Sequence, residues 1–192
     1  AAPVARAWIT SGVVWDAAAV EAEAQGADPR DALARAIADY DRAHAADSKD
    51  PIALENRGVA CKNLGRAENA AGLDPRGSYT RAVNDLGAAL ELDSTRKETF
   101  TARGIAFRRL GEAEDARGVD PRPRYQAAIQ HFAGALFLDP RDGIALENRG
   151  NAWVSLGYAQ DARGTDPHES WERALADFRA ALAVNPESVN AD

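Results

Sequence analysis

The chain has 192 residues, 45% of them hydrophobic, which suits one good-sized domain or a compact array of small units and is too apolar for a disordered tail. Thirty acidic against 23 basic residues give a formal net charge of −7 and argue against a general nucleic-acid or anionic-membrane surface, each of which needs a basic face. One cysteine excludes an intramolecular disulfide framework, and His44, His131 and His168 lie too far apart in sequence for a local metal motif, so neither a structural metal nor a cofactor is expected.

No apolar run approaches the roughly 20 residues that span a bilayer, so the chain is expected to be soluble, with the cytoplasm the favoured location. It contains no methionine, so residue 1 is not a translational start, and a processed chain or a piece of a longer protein is expected. A targeting signal could have been lost with the missing part.

Taken in chain order, the first landmarks are Gly12, then "GADPR" from Gly26, then Leu33, Ala36, Tyr40 and Ala43. The second stretch runs "ALENRGVACKNLG", in which Leu54, Gly58, Cys61 and Leu64 fall at spacings of four and three and share one side of a helix. After "GLDPRGSY", Tyr79, Ala82, Val83, Leu86, Ala89 and Leu90 repeat that spacing for a second helix. "RGIAFRRLG", "GVDPR" and "YQAAIQHFAGALFLDP" follow, and then "RGNAWVSLG", "GTDPH" and "WERALADFRAALAVNP". The Asp-Pro pairs at 28, 74, 120 and 166 are each 46 residues apart, as are Gly12, Gly58, Gly104 and Gly150. Four helical hairpins therefore fill the chain as one repeat domain over 1–192, with units near 8–53, 54–99, 100–145 and 146–191. Breaks between hairpins are expected at Asp47-Ser48, Asp93-Ser94, Asp139-Pro140 and Pro186.

These residues resemble the tetratricopeptide repeat (TPR). The small Gly58, the Leu64-Gly65 pair, and Tyr79, Ala82, Leu86 and Ala89 carry the likeness, and the third and fourth units match through the stretches quoted above. The first unit is degenerate, with Asp16-Ala17-Ala18-Ala19 where the others carry Leu-Gly. The resemblance implies an all-α, right-handed α-solenoid of four antiparallel helix-turn-helix hairpins. TPR units run about 34 residues, and aligning Gly65 and Tyr79 with that pattern places the whole excess in "RAENAAGLDPRGS". Gly72 then ends a lengthened first helix, Asp74 caps the second, and Pro75 is its first residue. Each helix would gain roughly 9 Å. The alternative is an irregular surface loop.

The resemblance also implies a concave groove lined by the first helices, where a peptide or protein segment would bind. Carried over position by position, the candidates are Glu55, Asn56, Val59, Lys62 and Asn63, then Thr101, Ala102, Ile105, Arg108 and Arg109, then Glu147, Asn148, Asn151 and Ser155. Asparagine amides can bond a peptide backbone, and Lys62, Arg108 and Arg109 can meet a carboxylate or phosphate. The alternative for each is a solvated polar face. The carboxylate clamp of some family members keeps only Asn56 and Asn148 here, with Glu98 and Ala102 where basic residues would stand, which puts recognition of an acidic C-terminal tail in doubt.

Arg57, Arg103 and Arg149 recur at the same interval, each ten residues after Asp47, Asp93 or Asp139. We expect these pairs to clip consecutive units together. Cys61 shares its register with Trp15, Phe107 and Trp153 and reads as core, His44 shares one with Leu90, Leu136 and Leu182 and reads as packing, and His131 falls with Asp39, Asp85 and Asp177 on an expected outer face. No nucleophile, base and orienting group can be assembled, so catalysis is not expected. Phe178, Ala181 and Leu182 on the last helix would be left without a cover, which keeps open a rival function, self-assembly into a homo-oligomer through the repeat ends.

Overall fold

The computed structural model describes residues 2–184, and the break expected at Pro186 lies outside them. The described residues form eight helices: α1 (Ala2–Ala24), α2 (Arg30–Ala46), α3 (Pro51–Ala70), α4 (Arg76–Leu92), α5 (Lys97–Asp115), α6 (Arg122–Leu138), α7 (Gly143–Asp161) and α8 (His168–Val184). The chain is all-α, and its helices pack in sequential pairs, α1 on α2, α3 on α4, α5 on α6 and α7 on α8. It divides into two compact units, one ending at Ser94 and the other starting at Thr95. In the first unit α3 packs on α2 and touches α1, and in the second α7 packs on α6 and touches α5.

The punctuation seen in the sequence closes each hairpin. Gly72 adopts φ +72°, a left-handed conformation that costs a residue without Cβ nothing. Its N–H donates to the Asn69 carbonyl at 3.0 Å while the Leu73 N–H donates to Glu68 at 2.8 Å, and these two bonds satisfy carbonyls that the end of α3 leaves open. Gly26, Gly118 and Gly164 repeat the arrangement at the other hairpins.

The second helix starts one residue later. Asp74 Oδ1 accepts from the Arg76 N–H at 3.2 Å, Pro75 already has helical dihedrals, and its carbonyl accepts from Tyr79 N–H at 3.0 Å. Pro75 is therefore the cap and Arg76 the first helical residue, one position later than the sequence suggests, with the Asp74 carboxylate bracing the turn just before them. The Arg76 guanidinium folds back on the same carboxylate, a contact repeated by Arg30 on Asp28 and Arg122 on Asp120. That guanidinium hydrogen bond is the main reason Asp28 and Asp120 are each held down to about 2. The residues beyond the ordinary TPR length thus extend both helices rather than forming a loop: α3 continues through Ala70, and at about 1.5 Å per residue its 20 residues run roughly 30 Å.

Between hairpins the chain leaves the helix at Asp47, Asp93 and Asp139, all extended, and each still donates its N–H to the preceding turn. In the second unit a core of Tyr125, Ala128, Ile129, Phe132, Ala152, Leu156 and Ala159 joins α6 to α7. In the first, Ala19, Leu33 and Ala67 play that part near the first turn. No described helix is long and apolar enough to cross a membrane.

Candidate interaction surface

The side chains expected along the first helices separate by burial. On α3, Asn56, Val59, Lys62 and Asn63 are half-buried, whereas Glu55 is only 8% exposed and so is not reachable by a partner. On α5, Thr101, Ile105 and Arg108 are half-buried, Arg109 is exposed, and Ala102 is buried. On α7, Glu147 is exposed and Asn148, Asn151 and Ser155 are half-buried.

Several of these groups already have partners on their own helix. Asn148 Nδ2 donates to the Ile144 carbonyl at 2.8 Å and Ser155 Oγ to the Asn151 carbonyl at 3.0 Å. Arg108 and Arg109 both bind Glu112, the latter at 2.9 Å, so this pair of arginines offers a ligand about one net positive charge rather than two.

The arginine register departs from the sequence expectation. Arg57 does not bind Asp47: its Nε and Nη2 donate to Asp85 at 2.8 and 2.6 Å, and its Nη1 donates to Asp41 at 2.7 Å. Arg149 likewise does not bind Asp139 but donates from Nε and Nη2 to Asp177 at 2.8 and 2.6 Å. The antiparallel hairpin explains the difference, because it lays residue 57 of the first helix beside residue 85 of the second. Asp139 instead accepts from Lys97 at 2.5 Å. For Arg57 the link between consecutive hairpins survives with a different partner, since Asp41 lies on α2 and Arg57 on α3, whereas among the described residues Arg149 pairs only within its own hairpin.

The aspartates of this register are therefore inner residues, with Asp39 at 4%, Asp85 at 7% and Asp177 at 5% exposure. In the first hairpin Ser11 replaces the arginine and donates to Asp39 at 2.6 Å. In the third, His131 replaces the aspartate, and it is not on an outer face but half-buried, stacked on Phe107 at 5.3 Å, with the Arg103 guanidinium over the Phe107 ring, 5.5 Å from its centroid. Burial, and then the Arg103 charge, push the His131 imidazole down to about 4.

Cys61 is buried, and burial pushes its thiol up to about 12, which suits core and not a nucleophile. His44 is half-buried. Among the described residues no group of three or more His, Cys, Asp or Glu side chains is placed to hold a metal ion.

One packing rule runs through all four hairpins. A Cβ added to Gly12, Gly58, Gly104 or Gly150 would lie 2.5 Å from Tyr40, 2.6 Å from Leu86, 2.6 Å from Phe132 and 2.7 Å from Phe178 respectively. The second series, Gly65, Gly111 and Gly157, receives Tyr79, Tyr125 and Trp171 in the same way. Small residues of the first helix thus admit large residues of the second, at the positions on which the TPR resemblance rests. The four hairpins are TPR-like in build. In the degenerate first unit the TPR-like fit is kept by a paired exchange, Ala19 opposite Leu33 where the others have glycine opposite an aromatic ring.

No family model and no curated protein matches this sequence. Among solved structures the TPR-like chain is similar to that of YrrB, described as a TPR protein with an unusual peptide-binding site, at 19% identity over 95% of this chain and 87% of that one, with a TM-score of 0.36. It is also similar to a crystal structure of MamA at 16% identity over 95% and 96% of the two chains, TM-score 0.30. A second MamA structure shows 20% identity over 92% and 98%, TM-score 0.34.

Proposed function

We propose that this chain is a non-catalytic protein-interaction scaffold that binds a peptide or protein segment along its first helices. The observation that supports this most is that each unit carries half-buried amides on a TPR-like first helix, Asn56 and Asn63 on α3 in one and Asn148 and Asn151 on α7 in the other. An amide donates and accepts at once and can follow a peptide backbone without selecting for charge. A net charge of −7 favours a protein partner over nucleic acid or an anionic membrane. The test is binding to a peptide array by the intact chain and by the Asn56→Ala, Asn148→Ala, Asn151→Ala triple variant. Loss of the captured peptides at unchanged melting temperature supports the proposal, and an unchanged capture pattern rejects it.

A second reading, self-assembly through the ends, is favoured by the α8 surface. Trp171, Leu175 and Leu182 are 38%, 54% and 45% exposed, whereas Tyr125, Ile129 and Leu136 in the same register of α6 are 4%, 9% and 8% exposed under the next hairpin. On α1, Val14 is exposed where Ala60, Ala106 and Ala152 are fully buried. Light scattering over a concentration series decides it: oligomers that dissolve on Leu182→Glu support self-assembly, and a monomer at every concentration rejects it.

A further inference from the structure

The α2–α3–α4 cluster has a counterpart 92 residues later that lacks one member. In the first unit Asp41 holds two arginines, accepting from Arg57 Nη1 at 2.7 Å and from Arg81 Nη2 at 2.5 Å, with Ile37, Cys61 and Asp85 around it in the register. Two repeats on, Arg57 becomes Arg149, Arg81 becomes Arg173, Cys61 becomes Trp153, Asp85 becomes Asp177 and Ile37 becomes Ile129. Asp41 becomes Ala133. A cavity of about 320 Å³ opens at that place, lined by Ala133, Arg149, Trp153, Arg173 and Asp177 among others.

We infer that this cavity is a receptor for a carboxylate, an aspartate or glutamate side chain of a partner protein that takes the place Asp41 fills in the first unit. Arg149 spends Nε and Nη2 on Asp177, as Arg57 does on Asp85, and among the described residues no other carboxylate is paired with it, which leaves Nη1, the nitrogen that in Arg57 donates to Asp41, for a second carboxylate. Arg173 lies over the Trp153 ring, 5.0 Å from its centroid, and binds Glu169, one turn earlier on its own helix. Glu169 is 77% exposed, so that pair is a weak solvated one which an incoming carboxylate can displace. Two guanidiniums on one carboxylate give charge-assisted hydrogen bonds, and the walls of Trp153 and Ile129 receive the methylenes of the incoming side chain.

The internal template is a side chain on a helix rather than a small molecule, which is why a protein carboxylate and not a free metabolite is assigned. Arg149 uses α7, but Ala133 and Arg173 lie on the second helices α6 and α8, so this surface is distinct from the first-helix amides and stands whether or not those bind a peptide.

The test is a nitrogen-15 NMR titration of the whole chain, reading the side-chain N–H signals of Arg149, Arg173 and Trp153. The probes are a capped alanine pentapeptide with one central glutamate, its glutamine twin, and acetate. Saturable shifts of all three signals with the glutamate peptide are expected, weakened at least about tenfold with the glutamine twin, since a charged acceptor is replaced by a neutral one. Ala133→Asp should rebuild the Asp41 cluster, raise the melting temperature and abolish the peptide response. Arg173→Ala, on the exposed side of the cavity, should weaken it while leaving the fold intact. Equal shifts from the glutamine twin, no saturation in the millimolar range, or undiminished binding by a folded Ala133→Asp protein would each overturn the inference. Acetate binding as tightly as the peptide would overturn the side-chain source, and shifts that follow protein concentration without peptide would assign the occupant to a second copy.

Discussion

Truncating Arg57 tests the register most directly. Its side chain is 12% exposed and that of Asp85 is 10%, so Arg57→Ala leaves a nearly buried carboxylate without its two charge-assisted bonds. Breaking one side of a buried pair costs about 3–5 kcal/mol, because the remaining charge stays desolvated. Asp41 adds little to that figure, since its side chain is 44% exposed and keeps Arg81. Arg149→Ala should cost less, about 2–3 kcal/mol, because the Arg149 side chain is already 26% exposed and water can enter beside Asp177. The decisive variant removes both charges. Arg57→Met with Asp85→Leu should recover more than half of the loss, since the desolvation cost disappears with the pair. Urea unfolding followed by far-UV circular dichroism measures all three. If Arg57→Ala costs less than Arg149→Ala, or if the double variant is less stable than the single, the pair is not what orders these hairpins.

His131 predicts an acid-side loss of stability. The unfolded imidazole takes a proton below about 6.5, while the folded one resists until about 4. Stability is therefore full above the unfolded value and falls as pH drops through that window, by about 1–2 kcal/mol once the ring's partial exposure is allowed for. In His131→Phe, which keeps the ring against Phe107, the part of the melting-temperature drop that belongs to this window should vanish. Gly104→Ala and Gly157→Ala should differ although both meet a ring: the first drives a Cβ to 2.6 Å from a fully buried Phe132 and should cost about 1–3 kcal/mol. The second meets Trp171, which is 38% exposed and can swing away, so its melting temperature should change much less. The Cys61 thiol should react with a disulfide reagent only at the rate at which the first unit opens, and rapid labelling of native protein would contradict its burial.

The hairpins and their turns were legible because they are written in backbone chemistry. Glycine before Asp-Pro fixes dihedrals and caps whatever its neighbours do, and the 46-residue interval repeats it four times. The arginine partners were not, because two aspartate series share that interval and spacing alone does not choose between them. A signal was present: the later series breaks at His131, where an imidazole stacked on Phe107 stands in place of the aspartate. Glu55 and Glu147 occupy one register, yet one is buried and the other exposed, since exposure depends on what packs above each helix and not on the repeat. The cavity beside Ala133 was legible only in part. The loss of aspartate can be read by aligning units, but that two arginines line the gap needs the fold.

The paired exchange of Ala19 and Leu33 for glycine and an aromatic ring bears on how such a chain can be recombined. Each hairpin sets a small residue of its first helix against a large residue of its second, so a crossover between hairpins inherits matched partners. A crossover within the turn would join an alanine to a tyrosine, or a glycine to a leucine, and produce either a clash or a void. Recombination in whole 46-residue modules therefore keeps these contacts together, while a breakpoint in the Gly-to-Asp-Pro turn separates them.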